Sequence, residues 1–268
     1  MRHRSALAAC VVMIGMVFAA IPAAAQDTAE PLTWLLSVTV KPGKLGDLEK
    51  AAQKYDKPVF DKLVADGSIT SYGLACQMVG PPTESCLYWA TAADWTGLGK
   101  VEKAFEDNRK GMKEAEAKEM MDAFLGVTVP EKETSFVVRH VVFNGAPGKT
   151  PKYLVRHVYN VNPGKGRAAV TTYKEYNAPV YEKLLASGVI DGYGVAVPDF
   201  HVGNPWTHTM WTMFSDLSRM DAIDKAFTEA DEARGEAVNE ALDASWMQMH
   251  DRDAHWDSLM RISMYGGM

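Results

Sequence analysis

The sequence predicts an α+β protein made of two tandem βαββαβ units whose sheets pack against each other. Three observations carry that expectation: a duplication spanning most of the chain, the same order of strand-like and helix-like segments in each copy, and a composition suited to a folded core. The 268 residues are 47% hydrophobic and 23% charged. That excludes a collagen-like, largely disordered or multi-pass membrane chain. A formal charge of −6 argues against a nucleic-acid partner, because phosphate neutralisation needs a basic surface.

The duplication is direct. Val40-Lys41-Pro42-Gly43-Lys44 recurs as Val161-Asn162-Pro163-Gly164-Lys165, and 15 of the 36 ungapped positions that begin there are identical at an offset of 121. Chance predicts about two or three from average residue usage. With one inserted residue the match continues: Trp89 meets Trp211, Asp94 meets Asp216, Lys103-Ala104-Phe105 meets Lys225-Ala226-Phe227, and Arg139 meets Arg261.

Each element follows from local pattern. Leu32 to Lys41 alternates, with Trp34, Leu36, Val38 and Val40 apolar on one face, so it reads as a strand. A Pro-Gly turn leads to a helix from Leu45 to Ala65, which stops at Gly67, the residue type that ends helices. Ile69–Met78 and Cys86–Thr91 read as two strands joined by the Pro81-Pro82 turn. Leu98 to Phe124 carries an apolar stripe of helical period and reads as one long helix. Phe136–Phe143 closes the copy as a fourth strand. The second copy reads Tyr153–Val161, Arg167–Ala186, Val189–Val197, Thr207–Phe214, Met220–Met249 and Leu259–Met264.

The order βαββαβ is the ferredoxin-like split unit, whose helices cover one sheet face only. The bare faces of two copies shield each other most simply by packing together, since exposed apolar sheets of that size are rare. The predicted organisation is a leader over 1–25, a first repeat over 26–144, a linker over 145–151 and a second repeat over 152–268. In element order and duplication, almost the whole mature chain resembles the dimeric α/β-barrel superfamily in a tandem, single-chain form. That superfamily holds antibiotic-biosynthesis monooxygenase-like, EthD-like and NIPSNAP-like proteins. The resemblance implies a pseudo-dimeric barrel. It also puts haem degradation in doubt: such relatives place an iron-ligating histidine near the start of the helix after the third strand, where this chain has Gly97-Leu98-Gly99 and Arg219-Met220-Asp221.

The leader is a basic start, Arg2-His3-Arg4, an apolar run from Leu7 to Ile21, and Ala23-Ala24-Ala25 before Gln26. This is the pattern of a secretory signal peptide. The run is too short for a permanent span. Cleavage leaves 26 basic and 34 acidic residues, and Cys76 and Cys86 as the remaining cysteines. In a periplasmic or secreted protein that pair is expected to form a disulfide stapling a hairpin.

No nucleophile elbow, phosphate loop, zinc-protease motif or dinucleotide fingerprint occurs, and nothing calls for a cofactor. The candidates are polar residues on strands. Val138-Arg139-His140-Val141 and Val155-Arg156-His157-Val158 are near-identical runs, and strand alternation sends Arg and His to opposite faces. The repeat offset puts Val155, His157, Tyr159 and Val161 on the helix side, and Leu154, Arg156, Val158 and Asn160 inside. A buried guanidinium is costly unless paired, so Arg156, with Arg139 and Arg261, is expected to meet an anionic ligand. His157 and His208 are the candidate bases. His201, Asn160, Trp211 and Tyr193 are candidate ligand contacts, and His140 is as readily a packing residue. His250, Asp253 and His255 are metal-ligand types, but their spacing fits no recognised site; the stretch reads as a solvated helix end, and no metal is expected.

The second copy carries Arg156, His157, Tyr159, Asn160, His201 and His208 where the first has apolar or small residues. This suggests one functional half and one supporting half. Three functions follow as expectations. The first is an exported binder of a small anionic or aromatic molecule. The second is a cofactor-independent monooxygenase or isomerase acting on a phenolic substrate. The third is a non-catalytic interaction module using its acidic helices. No membrane partner is expected after leader cleavage, and homo-oligomerisation is left open.

Overall fold

A computed structural model describes residues 30–80, 86–200 and 206–267. The leader 1–25, the Pro81-Pro82 turn and His201 lie outside the described residues. In the first half, β1 (Leu32–Val38), β2 (Ser71–Val79), β3 (Cys86–Ala92) and β4 (Thr134–Gly145) form a sheet in the order β4-β1-β3-β2. In the second, β5 (Tyr153–Val161), β6 (Gly192–Pro198), β7 (His208–Phe214) and β8 (His250–Gly267) repeat it as β8-β5-β7-β6. Each half's open edge pairs with the other's, β2 with β8 and β4 with β6, and the eight antiparallel strands close into one barrel. The bare faces thus meet inside a closed wall, and closure removes the sheet edges that would otherwise template aggregation.

The helices cover the outside. The first helix of each half is interrupted by a π-helical turn: α1 (Leu45–Ala51), Ala52–Asp56 and α2 (Lys57–Ala65), then α5 (Gly166–Thr172), Tyr173–Asn177 and α6 (Ala178–Ala186). Pro58 and Pro179 explain it. Proline has no N–H for the residue four back, and its ring crowds that carbonyl. The turn therefore widens, and the N–H of Lys57 reaches Ala52 O as that of Ala178 reaches Tyr173 O. Both helices then stop at glycines of positive φ, Gly67 at 74° and Gly188 at 71°, a conformation other residues adopt at a cost.

The expected long helices are each two. The first copy has α3 (Trp95–Gly111) and α4 (Glu114–Val127), and the second has α7 (Arg219–Arg234) and α8 (Glu236–Met249). Met112 is extended and Gly235 has φ 82°, so the apolar stripe continues while the backbone turns. The stretch His250–His255 is not a helix end. It is the start of β8: His250 and Asp251 pair with Val161 and Asn160, and after a register shift His255 pairs with Tyr159, so pairing with β5, not apolar alternation, makes this stretch a strand. Cys76 and Cys86 face each other across the β2–β3 pair and form a disulfide.

Three cores result. One lies under each helix layer, around Phe60 and Tyr72 in the first half and Tyr181 and Tyr193 in the second; the third fills the lumen with Leu35, Leu87, Trp89, Leu154, Trp211 and Met260. The two lumen tryptophans are repeat equivalents, and each indole lies over a glycine of the neighbouring strand, Trp89 over Gly73 and Trp211 over Gly194. That close approach accounts for both identities in the duplication.

Candidate functional site

Strand alternation sorts the polar candidates between two places. Inside the lumen, Arg156 is 3% exposed; its Nε donates to Thr209 Oγ1 at 3.2 Å, and its guanidinium stands 5.3 Å from the Trp206 ring. Trp206 in turn meets Phe136 edge-on at 5.5 Å. Across the lumen, His140 is buried between Trp211 and Thr33. Trp211 Nε1 donates to His140 Nδ1 at 3.4 Å, so the ring proton sits on Nε2, which donates to Thr33 Oγ1 at 2.7 Å; Thr33 and Thr91 share a further hydroxyl contact at 2.8 Å. Burial pushes His140 down to about 3, so it is a neutral imidazole. The free space among these groups is about 50 Å³. That admits a few water-sized atoms, whereas a cavity that binds benzene measures about 150 Å³.

Among the roomier spaces outside the barrel wall, two repeat-related grooves lie between a sheet and its helix pair, one in each half. In the second half a groove of about 680 Å³ is walled by Tyr159, Tyr181, Phe227 and Trp246, with His157 on its floor. His157 Nδ1 donates to Asp257 Oδ1 at 2.6 Å, and His255 Nε2 donates to the same oxygen at 3.1 Å. His157 first and His255 after it hold Asp257 below the usual carboxylate range. Asp257 is therefore the ionised partner, and the basic lone pair of His157 is on Nε2. His255 also stacks flat on Tyr159, at 4.9 Å and 14°. The first half has the equivalent groove of about 940 Å³, walled by Trp34, Trp95, Phe105 and Phe124, with Asp56 among its lining residues.

The sequence matches no family model and no curated protein. Among solved structures, the chain is similar to a candidate monooxygenase from Fusobacterium nucleatum (TM-score 0.62, 10% identity, 90% of this chain and 97% of that one). It is similar also to a candidate monooxygenase from Lactobacillus acidophilus (TM-score 0.61, 9% identity, 89% and 96%). A third is an anthrone oxidase-like protein (TM-score 0.51, 12% identity, 90% and 94%). The chain has the dimeric α/β-barrel fold. It takes that fold in tandem form, both halves in one polypeptide.

The tandem barrel places the remaining candidates as follows. Arg139 and Arg261 lie outside the lumen, Arg139 donating to Asp199 at 2.8 Å and Arg261 to Glu49 at 2.7 Å; both charges are neutralised by the chain's own acids. Tyr193 is fully buried under the helices, stacked on Tyr181 at 5.2 Å, and its hydroxyl accepts from Asn144 at 2.8 Å. Trp211 is in the lumen. Asn160 is half-buried at the β5–β8 register shift, away from the lumen lining. His208 is on the outer face near Thr207 and His250; burial, and then His250, push it down to about 4. His157 is on the helix side, as its register implies, and joins the groove. Sequence reasoning missed Asp257 and Asp56, and weighed His255 only as a metal-ligand type on a solvated stretch. Among the described residues no group of three or more His, Cys, Asp and Glu is placed to hold a metal ion, and no helix is long and apolar enough to cross a membrane.

Proposed function

We propose that the protein is an exported binder of a small aromatic or phenolic molecule, seated in the groove of the second half. The observation that carries this is the His157–Asp257 pair opening on an aromatic-walled space of ligand size, within the usual 300–1,000 Å³ of small-molecule sites. The lumen, at about 50 Å³, has no room for such a ligand. Tyr159, Tyr181, Phe227 and Trp246 supply ring faces for stacking. His157 Nε2 supplies an acceptor for a phenolic O–H, and Asp257 stabilises the imidazolium that forms if the proton moves.

The same pair favours the catalytic reading as the alternative, a cofactor-independent monooxygenase or isomerase whose first step is proton removal by His157. The names borne by the similar structures accord with it, although their likeness carries the fold alone. The cysteine pair, oxidised to a disulfide, supports export to the periplasm or beyond.

The test is titration of the purified mature protein with 2-naphthol, followed by absorbance. We expect saturable binding with a spectral shift toward the naphtholate, lost in His157→Gln and in Asp257→Asn and retained in Arg156→Lys. Binding unchanged by both groove variants but abolished by Arg156→Lys overturns the reading in favour of the lumen.

A further inference from the structure

The first-half groove differs from its twin at one repeat-equivalent position that decides chemistry. Asp56 ends the π-helical turn of the first half, and Asn177 ends that of the second. Both line their grooves. The lysines on either side of Asp56 are engaged elsewhere: Lys54 pairs with Glu119 at 2.8 Å and Lys57 with Asp61 at 2.7 Å. Asp56 instead stands beside the Tyr88 hydroxyl from β3, and burial raises its carboxyl to about 7. Around it are Trp34, Phe105 and Phe124, and the rim carries Glu102, Glu106 and Arg109 from α3. Glu106 is further paired with Lys110 at 2.6 Å.

We infer that this groove is a second ligand site, for an apolar or aromatic molecule carrying an amine, whose ammonium group meets Asp56. Size and charge argue for it together. The space of about 940 Å³ accepts a bicyclic aromatic body. A desolvated carboxylate gains from a cation that arrives with its own apolar stem, and the faces of Trp34 and Phe105 attract the same charge. The π turn aims Asp56: without the widening that Pro58 imposes, the residue after Tyr55 would sit about 100° further round a regular helix. The second half keeps the turn and loses the carboxylate, so the molecule contains its own control. The inference stands apart from the reading of the His157 groove.

The experiment is calorimetric titration of the full mature protein at pH 7.5 with 1-naphthylmethylamine and with its uncharged analogue 1-naphthalenemethanol. Wild type is expected to bind the amine at least tenfold more tightly than the alcohol. Asp56→Asn, which installs the second half's own residue, removes that preference and leaves the alcohol unchanged; His157→Gln leaves the preference intact. Gly99→Lys, at a rim position with nothing within 4 Å of an added Cβ, weakens the amine three- to fivefold and spares the alcohol. Equal binding of the two compounds by wild type, no binding of the amine at millimolar concentration, or a preference that survives Asp56→Asn or Gly99→Lys overturns the inference.

Discussion

The same glycine-to-alanine change should move stability in opposite directions at two sites of this barrel. At Gly194 an added Cβ would stand 2.6 Å from Trp211 Cζ2 and 2.6 Å from the carbonyl oxygen of Val142. Carbon pairs are comfortable at about 3.5–4.0 Å, so roughly an ångström must be found. The carbonyl belongs to the β4–β6 ladder and the indole is walled by Phe143 and His140. Overpacking of this kind costs about 1–3 kcal/mol, offset by about 0.5–1 kcal/mol from losing glycine's chain entropy. With a ladder carbonyl and a packed indole as the neighbours, the cost falls in the upper part of that range, about 2–3 kcal/mol, so the net loss is about 1–2.5 kcal/mol, or a fall in Tm of roughly 2–10 °C for a chain this long. Gly73→Ala meets Trp89 in the same way and should behave alike. Gly99 lies inside α3 with nothing within 4 Å, so Gly99→Ala should gain about 0.5–1 kcal/mol from helix propensity. Urea denaturation of the three variants is the assay, with Gly194→Ala/Trp211→Leu as the cycle that isolates the contact. A neutral or stabilising Gly194→Ala would refute the tryptophan-over-glycine lumen.

The disulfide closes a short loop, with a sequence separation of 10, which by chain entropy is worth about 3 kcal/mol. Cys76→Ser/Cys86→Ser, or reduction, should lower the denaturation midpoint accordingly, and alkylation without reductant should leave both thiols unlabelled. Two groups set opposing acid responses. His140, at about 3 in the fold against about 6.5 unfolded, holds fewer protons when folded, so its contribution is lost as pH falls from about 6.5 toward 3. Asp56, raised to about 7 from 3.8, holds more protons when folded, so stability is lost as pH rises from about 4 to 7. Denaturation curves from pH 4 to 8 should therefore lose less stability toward acid in His140→Gln than in wild type, and more in Asp56→Asn; identical profiles would contradict both assignments. Finally, the protein recovered outside the cytoplasm should begin at Gln26 by intact mass, and retention of residues 1–25 would remove the export proposal.

Much of the fold was legible because the duplication supplies two readings of every element. Gly67 and Gly188 mark the same helix end, and Trp89 and Trp211 the same strand-borne aromatic, in both halves. That the halves close into one barrel came only from the resemblance, since strand pairing between copies leaves no local signal. The helix breaks at Met112 and Gly235 escaped because an apolar stripe continues across a bend. The two Arg-His runs show a sharper limit. Alternation requires that Arg and His oppose each other, but a one-residue difference in register reverses which one enters the barrel. In β5 the lumen receives Arg156; in β4 it receives His140 and leaves Arg139 with Asp199. The site was half visible. His157 and Tyr159 stood out by divergence from the first copy, while Asp257 lay on a polar stretch with no apolar period, and Asp56 was hidden inside a helix whose π turn no spacing rule anticipates.

Where an aromatic ligand sits decides the account. In a crystal of the mature protein grown with 2-naphthol, density is predicted between α8 and the outer face of β5, with the ligand oxygen within hydrogen-bond reach of His157 Nε2. Density inside the barrel, between Arg156 and Trp211, with the second-half groove empty, would contradict it.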